Sequence, residues 1–121
     1  MSKNFTKKNY AEKIEFPNVY RMLHTIYGKP KPYRYAEECD LIYRAAIGMT
    51  AKEYRIAHGI QRGDNIRKYL TNEQVELIDL IALNDVGLLL SCPHYIQRKI
   101  YLEWVKFKRQ EERNDPASAG E

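Results

Sequence analysis

Few side chains in this sequence have the types and spacing to do covalent or metal chemistry. Cys39, His58, Cys92 and His94 are the residues that could in principle gather around zinc, but their spacing is not that of a finger or a ribbon. Cys92 with Pro93 and His94 reads more naturally as a helix start. A cysteine nucleophile paired with histidine also needs a third orienting group and a pocket, and the sequence offers neither. No glycine-rich phosphate loop, GxSxG, HExxH or paired-carboxylate signature occurs. The expectation is a chain that is not an enzyme, with no metal and no cofactor.

Basic and aromatic residues are the other candidates. The stretch 50–74, TAKEYRIAHGIQRGDNIRKYLTNEQ, carries Lys52, Arg55, Arg62, Arg67 and Lys68. Lys52 and Arg55 stand three apart, so on one helix both can face a phosphate backbone. The alternative is that Arg55 and Arg67 bind helix C-termini or acids such as Glu37, Glu38 and Asp40. Arg98, Lys106 and Arg109 share a face of the last helix and complete the candidate nucleic-acid contacts. Ten tyrosines are many for this length; Tyr27, Tyr33 and Tyr35 lie among Lys29, Lys31 and Arg34. Aromatics interleaved with bases can stack on unpaired nucleotides or anchor a protein interface, and equally can pack a small core with their hydroxyls wet.

The elements that must position these residues are helical. Residues 1–15 are polar and lysine-rich and read as a flexible arm, 16–112 as one helical domain, and 113–121 as a disordered tail. Pro17 suits a first helical turn, and Val19, Met22, Leu23 and Ile26 recur at helical spacing until Gly28. The segment 28–32, GKPKP, reads as a stiff linker. A second helix runs over 35–47 with Cys39, Ile42, Tyr43 and Ala46 on one face. Thr50 with Glu53, and Thr71 with Gln74, have capping-box spacing and open two more helices, separated by a turn or two at 65–70. The helix–glycine–helix order over 36–59 has the outline of a helix-turn-helix.

The helix over 72–90 is apolar on more than one side, which makes it either central or part of an oligomer interface; Leu88 and Leu89, with Tyr33 and Tyr35, are the interface candidates. In the last helix, opened by Ser91 and Pro93, Ile96, Ile100, Trp104 and Phe107 form an i, i+4, i+8, i+11 stripe. No stretch alternates with strand periodicity, so the expected fold is an all-α compact bundle of five to six short helices.

Composition agrees with one packed domain: 121 residues, 44% apolar and 30% charged. The net charge of +4 conceals alternation, since residues 50–70 hold five basic side chains against two acids, whereas 71–92 hold four acids and no base. Folding could gather the basic blocks onto one face. Two isolated cysteines, no signal-peptide core at the N-terminus and no apolar run long enough to span a bilayer point to a cytoplasmic protein away from membranes.

Three segments, YAEECDLIYRAAIGMTAKEYR, GDNIRKYLTNEQVELIDLIALNDVGLLL and QRKIYLEWV, together resemble the region that follows the DNA-binding module in phage proteins of the KilA-N type and their damage-inducible relatives. The matching positions include Asp40, Leu41, Gly48, Thr50, Ala51, Lys52, Tyr54, Arg55, Gly63, Asn65, Ile66, Arg67, Tyr69, Thr71 and Asn84, within a similarity covering roughly 33–103. Lys68 stands where these relatives usually carry an acid, which removes any local pairing with it. The first 32 residues are too short to hold the DNA-binding module, so the resemblance implies a stand-alone accessory helical domain encoded by a phage, prophage or other mobile element. Two functions are expected from these readings: a non-catalytic, nucleic-acid-associated regulatory role through the basic residues, or a protein-interaction module, either an oligomerisation domain or an inhibitor of a host protein.

Overall fold

The computed structural model describes residues 14–114, and within them the fold is all-α. Five α-helices follow in order: α1, Pro17–Tyr27; α2, Pro32–Ile47; α3, Ala51–His58; α4, Asn72–Ser91; and α5, Tyr95–Asn114, with a single 3-10 turn, Ile66–Lys68, between α3 and α4. Helices α2 and α4 pack on each other, and α1 and α5 each pack on both of them. The core is a run of aliphatic side chains from all four, among them Val19, Leu41, Ile42, Ile78, Ile81 and Leu102, with Ile66 inserted from the 3-10 turn.

Local signals explain most helix boundaries. At both capping boxes the threonine hydroxyl accepts from the backbone amide three residues on, at 3.1 Å, while that residue's side chain accepts from the threonine amide at 2.9 Å. Each cap contributes about 1 kcal/mol. Gly48 and Gly59 end α2 and α3 in the left-handed conformation, with φ of 83° and 63°, which a side chain would resist. Helix α2 starts earlier than its apolar periodicity suggests: Pro32 occupies the first turn, where its missing amide costs nothing, so the end of GKPKP initiates helix. Ser91 closes α4, and α5 begins only at Tyr95.

Helix α3 buries none of its side chains and packs chiefly on the 3-10 turn. The helix-turn-helix outline of 36–59 therefore has a second helix that touches the core only at its edge, through the half-buried Ala51 and Tyr54.

Two domain boundaries shift. The arm expected over 1–15 is described only at Ile14 and Glu15, and Glu15 is part of the folded body: it accepts from the Tyr43 hydroxyl and, at 2.5 Å, from Arg67 Nε. The tail expected over 113–121 is described only at Arg113 and Asn114, which continue α5 because Arg113 reaches Glu76 at 2.7 Å and Glu73 at 3.2 Å. The rest of both segments lies outside the described residues. Among the described residues no helix is long and apolar enough to cross a membrane.

Glu15→Ala removes an acceptor shared by a buried tyrosine and a half-buried arginine. It is expected to lower the unfolding free energy by about 1–3 kcal/mol in a urea titration; an unchanged midpoint would mean that Glu15 does not belong to the folded unit.

Candidate functional site

Arg98 does not face solvent. It is 6% exposed and ties three helices together: its Nη2 and Nε donate to Glu38 of α2 at 2.5 and 3.1 Å, and its Nε lies 3.6 Å from Asp85 of α4. The remaining nitrogen, Nη1, donates to the carbonyls of Cys92 and Pro93 at 3.0 and 2.8 Å, satisfying the chain where α4 ends. Two buried carboxyls thus share one cation. Asp85 is wholly buried and neither of its oxygens has a hydrogen-bond partner. Its burial, and then the neighbouring Glu38 carboxylate, push the Asp85 carboxyl well above the usual carboxylate range, with Arg98 opposing. Asp85 therefore keeps its proton at neutral pH, and the guanidinium of Arg98 is directed at Glu38. This pair of carboxylates has no sequence signature, because Glu38 and Asp85 come from different helices.

The other expected nucleic-acid contacts are dispersed or already occupied. Arg67 is held by Glu15 and, at 2.9 Å, by Asp79, with its guanidinium 5.8 Å from the Phe16 ring. Arg55 donates to the Asp64 carbonyl at 2.8 Å. Lys68 pairs with Asp64 at 2.9 Å, so an acid four residues earlier supplies the local partner that the residue after Arg67 does not. Arg109 lines a shallow cleft with Glu73 and Glu76 at the start of α4. Lys106 is half-buried, and Lys52 and Arg62 are exposed. The partners of Arg55, Arg67 and Arg98 differ from the helix termini and the α2 acids expected for Arg55 and Arg67: the only α2 acid so used is Glu38, and it binds Arg98. Arg55, Arg67 and Arg98 thus tie loops and helices together, while Lys52 and Arg62 stay at the surface.

The spacing of TAKEYR and NIRKYLT has the same explanation: Thr50, Asn65 and Thr71 cap, while Arg55 and Arg67 tie loops.

The thiols and imidazoles also lie apart. Cys39 is in α2, His58 ends α3 stacked on Tyr54 with ring centres 3.9 Å apart, and Cys92 and His94 lie in the link between α4 and α5. Burial pushes the Cys39 thiol up to about 12, so it is not a thiolate at neutral pH. Among the described residues no three histidine, cysteine or carboxylate side chains converge as metal ligands.

Of the four interface candidates, three are structural. Leu89 is buried and Leu88 packs against the core. The Tyr35 hydroxyl accepts from the Phe16 amide at 3.0 Å, and its ring meets Tyr20 edge-on. Tyr33 alone is exposed, beside Arg34, whose guanidinium lies 4.1 Å from the centre of the Tyr27 ring.

The unpaired surface is elsewhere, on α5. An apolar stripe at helical spacing ordinarily faces the core. On α5 the inward positions are Tyr95, Arg98, Leu102 and Val105, whereas Ile96, Ile100, Trp104 and Phe107 are 63%, 61%, 54% and 60% exposed. At about 100° per residue those four fall within roughly 80° of arc, about half a turn from the inward set. Tyr101 packs against Trp104 with ring centres 5.9 Å apart, and Lys108 Nζ lies 6.0 Å from the centre of the indole. Sequence periodicity found this stripe but not the direction it faces.

Two variants test the buried cluster. In the window between the ordinary carboxylate range and the raised value of Asp85, the folded chain binds a proton that the unfolded chain has released, so stability falls as pH rises, by up to about 1.4 kcal/mol per pH unit from this group. Asp85→Asn is expected to flatten that slope between about pH 5 and about pH 8 and to be the more stable protein at the upper end. Asp40, which burial also raises, keeps a slope of the same sign in both proteins. Arg98→Met leaves both carboxyls without a cation and is expected to cost about 3–5 kcal/mol. Urea midpoints across the pH series read both effects.

Comparison with known proteins places no relative beside this chain: no family model matches it, and no curated protein or solved structure is significantly similar to it.

Proposed function

We propose that the chain is a protein-interaction module whose docking element is the outward face of α5. The observation that carries this reading is the position of Ile96, Ile100, Trp104 and Phe107, four large apolar side chains in one continuous stripe on the side of α5 opposite its core contacts. Together they leave on the order of 500 Å² of apolar surface in water, comparable to the largest patch on an ordinary monomer. A solvated helix has no need of such a stripe, whereas interface centres are enriched in aromatic side chains of this kind. Reading nucleic acid through the basic residues has less support, because Arg67, Lys68 and Arg98 already pair with acids and Arg55 is spent on a loop carbonyl.

The double variant Ile100→Glu/Phe107→Glu separates a docking face from a core face. Measured at high dilution, its unfolding free energy is expected to stay within about 0.5 kcal/mol of the parent chain, while its retention on a phenyl matrix drops sharply. A loss of several kcal/mol, of the size that core truncations produce, would overturn the reading.

A further inference from the structure

Resting on that reading, we infer that the occupant of the α5 face is a second copy of this chain, paired antiparallel about a twofold axis that passes near residue 102. The stripe is graded in size along the helix. Its N-terminal half is branched aliphatic, Ile96 and Ile100, and its C-terminal half is aromatic, Trp104 and Phe107. Parallel pairing would set indole on indole and leave the isoleucine ends apart. Antiparallel pairing sets Ile96 against Phe107 of the other copy and Ile100 against Trp104, so that every large ring meets a smaller side chain and the helices stay evenly spaced over about 16 Å.

The charged edge fits the same arrangement. A twofold interface brings each surface patch against its own copy, so an edge joins only if it complements itself. Lys99 and Glu103 stand on one edge of the stripe, 3.8 Å apart at Lys99 Nζ and Glu103 Oε2. Reversing the direction of the second helix places Lys99 opposite Glu103 twice, once on each side of the axis. Pairing two stripes buries on the order of 1,000 Å² of apolar surface, at the lower bound for a specific interface. The dimer is therefore expected to be weak, dissociating in the micromolar range.

Sedimentation equilibrium of the full chain over a wide concentration range tests this, with Lys99→Glu, Glu103→Lys and the double exchange alongside. Each single change sets like charges across the axis and is expected to weaken dimerisation by about tenfold, and the double exchange is expected to restore it to within about threefold. Ile100→Glu/Phe107→Glu is expected to abolish it. A chain that stays monomeric throughout overturns the second copy as occupant; the docking reading is then judged separately, by the stability and phenyl retention of that same double variant. A dimer indifferent to the charge exchange, or one that survives Ile100→Glu/Phe107→Glu, also overturns the inference, because its interface lies elsewhere.

Discussion

The arrangement depends on one buried cation. Arg98 joins α2, α4 and α5 through Glu38, Asp85 and the carbonyls that follow α4, and among the described residues no other polar contact reaches three long helices at once. Its role is best seen in the rotation of α5 about its own axis. By apolar area alone α5 would turn its Ile96 stripe inward, since Leu102, Val105 and Tyr95 offer the core less than two isoleucines, a tryptophan and a phenylalanine do. Turning it half a revolution, however, would take Arg98 to the surface and leave two carboxyls in the core without a cation, a penalty of several kcal/mol. The ion cluster thus favours one of two apolar faces, and the other stays in water.

The same logic applies on a smaller scale at the opposite end of the sequence. Glu15 holds the Tyr43 hydroxyl and Arg67, and Arg67 in turn holds Asp79 of α4. The residues just before α1 are thereby fastened to α2, to the 3-10 turn and to α4. Burial, reinforced by the neighbouring Glu15, raises the Tyr43 phenol above its ordinary value, so the tyrosine stays a neutral donor in this contact. Ion pairs at both ends of the chain close contacts that short-range packing leaves open.

Much of the fold was legible in the sequence because its determinants are local. The two threonine caps, the glycines at 48 and 59 and the proline at 17 each act within a few residues, and each sits where its chemistry requires. Pro32 shows the limit of that reasoning: the same residue fits a rigid linker and a helix start, and only the helix that follows decides between them. The candidate site was legible in content and not in direction. Ile96, Ile100, Trp104 and Phe107 stand out by spacing, but which side of a helix turns inward depends on partners far away in sequence. Glu38 and Arg98 are 60 residues apart, and Glu15 and Arg67 are 52 apart. Arginines read one at a time look like phosphate ligands until such partners are known; Arg67 and Arg98 each pair with acids distant in sequence, and Arg98 is buried.

The order of the residues in Arg98's cluster also bears on how the chain is made. Glu38 and Asp85 are synthesised before the arginine they share, so a chain that ends with α4 carries both carboxyls with no cation beside them. The bonds between Arg98 and Glu38, 60 residues apart, can form only after synthesis has passed the last helix, so a chain cut short before position 98 lacks the one group that joins α2, α4 and α5 at this point.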